Sequence, residues 1–194
     1  MSLFESSEKA HLKRAQPLAA RMRPTSLDEF IGQDHFLGEG KLLRRLVDAD
    51  RLGSVIFFGP PGCGKTTLAQ LLARESQSRF RQLSAVTSGV QQLRELLEEA
   101  RNELAAGGYR TLLFIDEIHR FNRAQQDALL PDVENGIVTL IGATTTNPFF
   151  TVVSALVSRS QVFQFEPLSV EQIELVLERA LADRQRGLGD YEVN

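Results

Sequence analysis

Apolar positions along the chain keep two alternating rhythms. Unbroken runs at Val55-Ile56-Phe57-Phe58, Thr111 to Ile115 and Ile137 to Gly142 predict buried strands, and Phe80 to Ser84 and Gln161 to Phe165 read as two more. Between the runs, apolar residues return at helical spacing. Leu68, Leu71 and Leu72 share one face after the first strand. Val90, Leu93, Leu96, Leu97, Ala100 and Leu104 share another over Val90 to Ala106, which Gly107-Gly108 stops. Arg123 to Leu130 predicts a helix broken by Pro131, Asn135-Gly136 a turn, and Phe149 to Leu156 a further helix. Ahead of the first strand, Leu27 to Gly32 gives a short helical start and Lys41 to Asp50 a helix packed along one side. After Pro167, Val170 to Arg186 predicts a helix with Val170, Ile173, Val176, Leu177, Ala180 and Leu181 facing inward and Gly187 at its end. Strands alternating with helices predict an α/β fold, a parallel sheet covered on both faces.

Composition narrows this picture. The chain has 194 residues, the size of one core domain with the start of a second, and its 42% hydrophobic share is that of an ordinary globule. No apolar run approaches the roughly 18 residues of a membrane span. Met1 to Gln16 is polar and carries no signal peptide pattern, so residues 1–16 are expected to be a flexible tail. Residues 17–166 then form the core, and 167–194 begin a unit that the chain does not finish. A single cysteine, Cys63, excludes an internal disulfide framework and fits a reducing cytosol. The net charge of −3 does not advertise nucleic-acid binding, although a local basic patch is compatible with it.

The chemistry is concentrated in Gly59 to Thr67, GPPGCGKTT, a G-x-x-x-x-G-K-T phosphate-binding loop between a strand and a helix. Gly59, Gly62 and Gly64 let the backbone curl so that successive amides face an anion, with Pro60, Pro61, Cys63 and Thr67 completing the loop. Lys65 reaches the outer phosphates at a helix N-terminus, and Thr66 offers a hydroxyl to Mg²⁺. ATP and Mg²⁺ are the ligands this predicts. Asp116-Glu117 ends a strand of four apolar residues, where carboxylates cost solvation unless a cation or a turn needs them. This assigns Asp116 to the Mg²⁺ shell through water and Glu117 to the attacking water. Ala143-Thr144-Thr145-Thr146-Asn147 offers hydroxyls at a strand's C-terminal end, either to hold that water and sense the γ-phosphate or to cap the next helix. Arg159 precedes the last strand, either as a bland surface residue or as an arginine finger toward a neighbouring subunit. His119 has no second ligand at metal spacing and reads as a coupling or packing residue. Cys63 is either a redox sensor, its thiol acidified by the helix N-terminus, or a small residue that fits the loop. Phe30 and Ile31 are either core or the wall of a purine pocket.

These motifs in this order, GPPGCGKT, LLFIDE, IGATT and SRS, resemble an AAA+ ATPase. More specifically the chain resembles the replication-associated recombination protein A family, which includes the Werner-helicase-interacting ATPase. The strings are PLAARMRP at Pro17 to Pro24, FIGQDH at Phe30 to His35, SAVTSGV at Ser84 to Val90, DEIHRFNRAQQDALLPDVENG at Asp116 to Gly136 and IGATTTNPFF at Ile141 to Phe150. The resemblance implies a five-stranded parallel sheet of order 5-1-4-3-2, with residues 167–194 as the start of a helical lid. It implies Phe30, Ile31 and Gly32 beside adenine, Thr145 as sensor 1 and Arg159 as a finger acting in trans. It also implies a DNA-dependent ATPase, hydrolysing ATP to ADP and phosphate, in replication-fork maintenance and recombination or repair at DNA ends or gaps. The implied partners are DNA junctions or ends, replisome proteins such as single-stranded-DNA-binding protein, and copies of itself in a tetramer. The implied location is cytoplasmic and nucleoid-associated. Thr146 and Val153 depart from the Glu and Asn of the family's pattern, and the family's remaining lid and tetramerisation domain have no counterpart before Asn194, so the chain reads as a fragment. A RuvB-like branch-migration motor shares DEIHR-x-N and GATT, but inserts a hairpin before the sensor strand, where Glu134-Asn135-Gly136 leaves no room. The motifs are also compatible with a clamp-loader subunit or, in a different class, with a non-hydrolysing nucleotide-gated binding module.

Overall fold

A computed structural model describes residues 16–190. Apart from Gln16, the tail expected over residues 1–16 lies outside them. In chain order the elements are α1 (Leu18–Arg21), α2 (Asp34–Leu37), α3 (Leu42–Asp48), β1 (Val55–Phe58), α4 (Lys65–Glu75), β2 (Arg79–Ser84), α5 (Val90–Gly107) and β3 (Thr111–Asp116). There follow α6 (Arg123–Asp127), α7 (Leu130–Glu134), β4 (Val138–Thr144), α8 (Pro148–Thr151), α9 (Ser154–Val157), β5 (Gln161–Gln164) and α10 (Val170–Ala182). The described residues divide into two compact units, Gln33–Pro167, and 16–32 with 168–190.

The larger unit is built on one sheet, ordered β2-β3-β4-β1-β5, with every pairing parallel. This is the order 5-1-4-3-2 read from the other edge. The central strands are apolar on both faces because helices cover both: Val55, Ile56, Phe57, Leu113, Phe114, Ile115, Leu140 and Ile141 are fully buried. Leu93, Leu97 and Ala100 of α5 pack with Leu113, Ile115, Leu129, Leu140 and Leu156 in one core cluster. An aromatic cluster closes the β1–β5 side, where Phe165 lies 5.0 Å from Phe57 and 5.1 Å from Phe36 between ring centroids. Gln33 is 5% exposed; its side chain donates to the Glu166 carbonyl at 2.8 Å and accepts from the Glu166 amide at 3.0 Å. That two-way clasp ties the beginning of the unit to its end.

Three helix boundaries differ from the periodicity, each for a local reason. Pro131 does not end a helix. It stands in the first turn of α7, where its missing N–H costs nothing, while α6, which starts on an Asn122–Gln125 capping box, already ends at Asp127. Phe149 to Leu156 is two turns, because the Val153 amide donates to Gln126 Oε1 at 2.8 Å instead of continuing a helical ladder. Gln126 is 3% exposed and its amide nitrogen also donates to the Phe121 carbonyl, so this buried side chain sets the break. In the smaller unit, α10 stops at Ala182 because the Asp183 carboxylate accepts from the Gln185 and Arg186 amides at 2.8 and 2.7 Å and from Arg186 Nε at 2.9 Å. There Arg186 also reaches Glu29, and Arg179 donates to the Glu29 carbonyl.

Two of these contacts can be tested by their energetics. Arg101 of α5 holds Asp132 of α7 in a bidentate pair at 2.7 Å on each oxygen, and Asp132 is 2% exposed. Arg101→Ala strands a buried carboxylate, so urea unfolding should show a loss of about 1–3 kcal/mol; an unchanged midpoint would mean that the carboxylate finds water. The Arg186 amide and guanidinium hold the Asp183 carboxyl at about 2, below its ordinary 3.8. A depressed carboxylate stabilises the folded state fully above its ordinary value and loses that contribution as the pH falls through the depressed one. Carboxyl NMR should therefore find Asp183 still ionised at pH 3, and titration near its ordinary value would contradict the turn.

Candidate nucleotide site

The parallel sheet delivers the C-terminal ends of β1, β3 and β4 to one edge, with β4 between its two neighbours. Phe58 is in register with Thr144, and Ile115 with Gly142. The chain leaves β1 at Gly59, whose amide donates to the Thr144 carbonyl at 3.1 Å. A Cβ at Gly59 would collide with the Phe165 carbonyl, so only glycine lets the loop start this close to the strand that follows. Gly64 has φ 95° and caps α4, which therefore begins at Lys65 with its first amides aimed into the loop.

Lys65 is 8% exposed, and its ammonium donates to the carbonyls of Gly59 and Pro60 at 2.8 and 2.7 Å. A buried ammonium held by main-chain carbonyls is a cation poised inside an amide-lined turn. Cys63 is 4% exposed, and its Sγ–H donates to the Pro60 carbonyl at 2.8 Å. Burial pushes this thiol up, against the pull of Lys65. The acidified redox sensor weighed from sequence is thereby corrected: desolvation outweighs the helix N-terminus, and the protonated sulfur braces the loop. Thr66 and Thr67, the next two residues of α4, are half-buried. Pro61 and Gly62 form the exposed outer turn.

On β3, Asp116 and Glu117 are both half-buried. Glu117 adopts a left-handed backbone, φ 53° and ψ 46°, a conformation that costs a non-glycine residue about 1–3 kcal/mol. Two hydrogen bonds hold it there: its amide donates to Asp116 Oδ1 at 3.1 Å, and its carbonyl accepts from the Arg120 amide at 2.7 Å, closing the short 3-10 turn Ile118–Arg120. From β4, Thr145 Oγ1 donates to Glu117 Oε2 at 3.3 Å. His119 Nδ1 lies 3.2 Å from the same oxygen and 2.9 Å from Thr144 Oγ1, with Thr144 fully buried. The structure thus brings Glu117 and Thr145 into contact, and adds His119 and Thr144, which spacing alone does not join to them.

Arg159 stands apart from this cluster. It precedes β5, and the Gln161 amide donates to the Ser54 carbonyl, so Arg159 lies where β1 begins rather than where it ends. The length of β1 separates the two ends, roughly 13 Å at the rise of a strand. Arg159 Nε pairs with Glu134 Oε1 at 2.7 Å, Nη1 donates to the Ala155 carbonyl, and the side chain is 44% exposed. Phe30 and Ile31 are half-buried and Gly32 is buried in the smaller unit, where a Cβ on Gly32 would press on Leu168.

The arrangement is an anion-binding loop beside a carboxylate pair at the open edge of a parallel sheet. The profile of the ATPase family associated with various cellular activities (AAA) matches residues 55–168, and the chain belongs to that family. Replication-associated recombination protein A of Escherichia coli K12 is 53% identical to the chain over 178 residues, 92% of the chain and 40% of that protein. ATPase WRNIP1 of Dictyostelium discoideum is 50% identical over 169 residues, 87% of the chain and 19% of its own length. The chain thus spans less than half the length of these relatives. Among solved structures, the Thermotoga maritima RuvB Holliday junction branch migration motor superposes with a TM-score of 0.69 at 31% identity, covering 90% of this chain and 57% of that one.

Cys63 reports on the loop. Because the thiol is buried and protonated, maleimide at neutral pH should label the native chain far more slowly than the urea-unfolded chain, and Mg²⁺-ATP should slow labelling further. Rapid labelling of the native chain, indifferent to ATP, would contradict this placement of the loop.

Proposed function

We propose that the chain is the ATP-hydrolysing part of a DNA-dependent motor, with γ-phosphate cleavage at the C-terminal edge of β1, β3 and β4. The observation that carries this reading is the joint placement of a buried lysine in a helix-capped loop and a partnered carboxylate two strands away. The donor set suits the substrate. The loop amides and the α4 N-terminus face an anion, and the Lys65 donors exchange their carbonyl partners for phosphate oxygens. Pro60, Pro61, Gly62, Cys63, Gly64 and Thr67 shape the loop, and Phe30, Ile31 and Gly32 are assigned to the adenine side. Thr66 would offer its hydroxyl, and Asp116 its carboxylate through water, to Mg²⁺, which takes oxygen ligands alongside several waters and would neutralise charge on the transferred phosphate. Among the described residues no cluster of three His, Cys, Asp or Glu forms a metal cage, as a largely hydrated ion requires none.

Glu117 accepts a proton from the attacking water as its oxygen bonds to the γ-phosphorus and the bond to the ADP oxygen breaks. Thr145 orients that carboxylate. Arg159 cannot serve its own site from the opposite end of the sheet, so it is assigned to the phosphate of a neighbouring copy. Its ion pair with Glu134 is exposed and worth at most about 1 kcal/mol, which does not hold it back.

The DNA half of the proposal rests on the relatives named for replication-associated recombination. On that reading the whole protein acts at DNA ends or gaps beside replication proteins, including a single-stranded-DNA-binding protein, as a homo-oligomer in the cytoplasm near the nucleoid. Among the described residues no helix is long and apolar enough to cross a membrane. Three residues, 135–137, join α7 to β4, so the partner-binding hairpin of a RuvB-type motor has no place here.

In the protein carrying this chain, Glu117→Gln should lower turnover by roughly 100-fold or more while ATP affinity stays within a few-fold. Equal loss of both would make Glu117 structural. Arg159→Ala and Lys65→Ala should each be inactive alone and recover activity on mixing, because a mixed interface pairs one intact site with one intact finger. Full activity of Arg159→Ala would remove the finger, and stimulation by an intact duplex equal to that by gapped or forked DNA would remove the substrate assignment.

A further inference from the structure

Glu117 has both of its polar side-chain neighbours on one oxygen, a hydrogen bond from Thr145 and the edge of the His119 ring. Thr145 Oγ1 and His119 Nδ1 both approach Oε2, at 3.3 and 3.2 Å, and no donor among the described residues is bonded to Oε1. His119 is not a free surface side chain; it is 13% exposed and lies against buried Thr144. The hydrogen-bond inventory around that hydroxyl determines the state of the imidazole. Thr144 Oγ1 accepts from the Thr146 amide and lies 3.1 Å from the Thr146 carbonyl, to which it can only donate. With Thr146 Oγ1 also 3.1 Å away, the Thr144 hydroxyl has acceptors for its proton other than His119. A carboxylate oxygen only accepts. Nδ1 lies 2.9 Å from Thr144 Oγ1 in hydrogen-bond geometry and 3.2 Å from Glu117 Oε2 without it; because the carboxylate oxygen offers Nδ1 only lone pairs, the ring proton is assigned to Nδ1, donated to Thr144 Oγ1, with Nε2 bare.

We infer that His119 is a positioning residue for hydrolysis: its ring, anchored through Nδ1 on Thr144 at the end of β4, stands against Oε2 of Glu117 so that Oε1 is the oxygen presented to water. The inference rests on Glu117 being the base. The left-handed backbone at Glu117 makes the need physical. It starts a tight turn that returns the chain within two residues, bringing Nδ1 of His119 back to the carboxylate it follows. Thr145 alone would leave a one-point hold on a half-exposed side chain with three rotatable bonds. Two neighbours from different segments, His119 on the turn after β3 and Thr145 just past β4, confine Oε2 from two sides. Placement errors of about 1 Å at a reacting group cost up to roughly 100-fold in rate. His119 needs no contact with the nucleotide to act in this way.

The test uses the position of the donor. Asparagine places its amide nitrogen near the site of Nδ1, whereas glutamine places it near Nε2. In the protein carrying this chain, His119→Asn should keep kcat within a few-fold. His119→Gln and His119→Ala should lower kcat by roughly 10- to 100-fold, with KM and ATP affinity little changed. Equal loss in all three variants, or loss in none, would overturn the assignment. Glu117→Gln in the same assay separates the two layers: if it retains turnover the base reading itself fails, and if it is inactive while His119→Ala is fully active only the positioning role fails. A measurement on the unaltered chain guards against misfolding of the variants. Nitrogen-15 shifts of the His119 ring at alkaline pH should show a protonated Nδ1 and a bare Nε2, and the opposite tautomer would overturn the inference.

Discussion

The site depends on β1 lying between β4 and β5 with Gly59 at its end. Parallel pairing forces every strand to finish at the same edge, so whatever follows each strand is gathered there without long-range search. The Gly59 amide on the Thr144 carbonyl carries that pairing one residue beyond β1, into the start of the phosphate loop. A side chain at Gly59 would drive β1 away from Phe165, and with it the loop away from β4. The geometry of the candidate site therefore inherits its accuracy from backbone hydrogen bonds in a core that is closed on both faces.

Against that rigid edge, the polar groups are held under different kinds of restraint. Lys65 is satisfied by carbonyls of its own loop, so burial of its charge is compensated locally. Glu117, on a strained left-handed backbone, is held by hydrogen bonds from its own turn and by Thr145. Arg159 is held weakly, on an exposed carboxylate, at the other end of the sheet. Tight restraint on the groups that would act within one subunit and loose restraint on the one assigned to a neighbour is the pattern expected if the second partner arrives by assembly.

The strands and the phosphate loop are legible because their signals are local: Val55 to Phe58 is uniformly apolar, and the glycine spacing of Gly59 to Thr67 has few other uses. The sheet order is legible through motif order rather than through hydropathy. What escapes the sequence is set by single buried side chains meeting across the fold. Gln126 splits the helix expected over Phe149 to Leu156 by capturing the Val153 amide, and nothing in its neighbourhood along the chain announces it. Pro131 reads as a stop because proline ends helices, yet its first-turn position in α7 becomes visible only once the α6 capping box is located. His119 cannot be joined to Thr144 from a separation of 25 residues, because that contact exists only through β3–β4 pairing. For Cys63 the sequence leaves an acidified sensor and a small loop residue both open, because it shows the helix N-terminus and not the burial that opposes it.

The central claim is that one nucleotide site spans the ends of β1, β3 and β4. Amide NMR of the chain titrated with Mg²⁺ and a non-hydrolysable ATP analogue tests it directly. The account predicts the largest shifts at Gly59 to Thr67, with smaller ones at Asp116, Glu117 and Thr145, and none of these in Lys65→Ala. Shifts centred instead on the shallow surface beside α3, around Leu42, Arg45 and Ala49, or unaltered by Lys65→Ala, would contradict it.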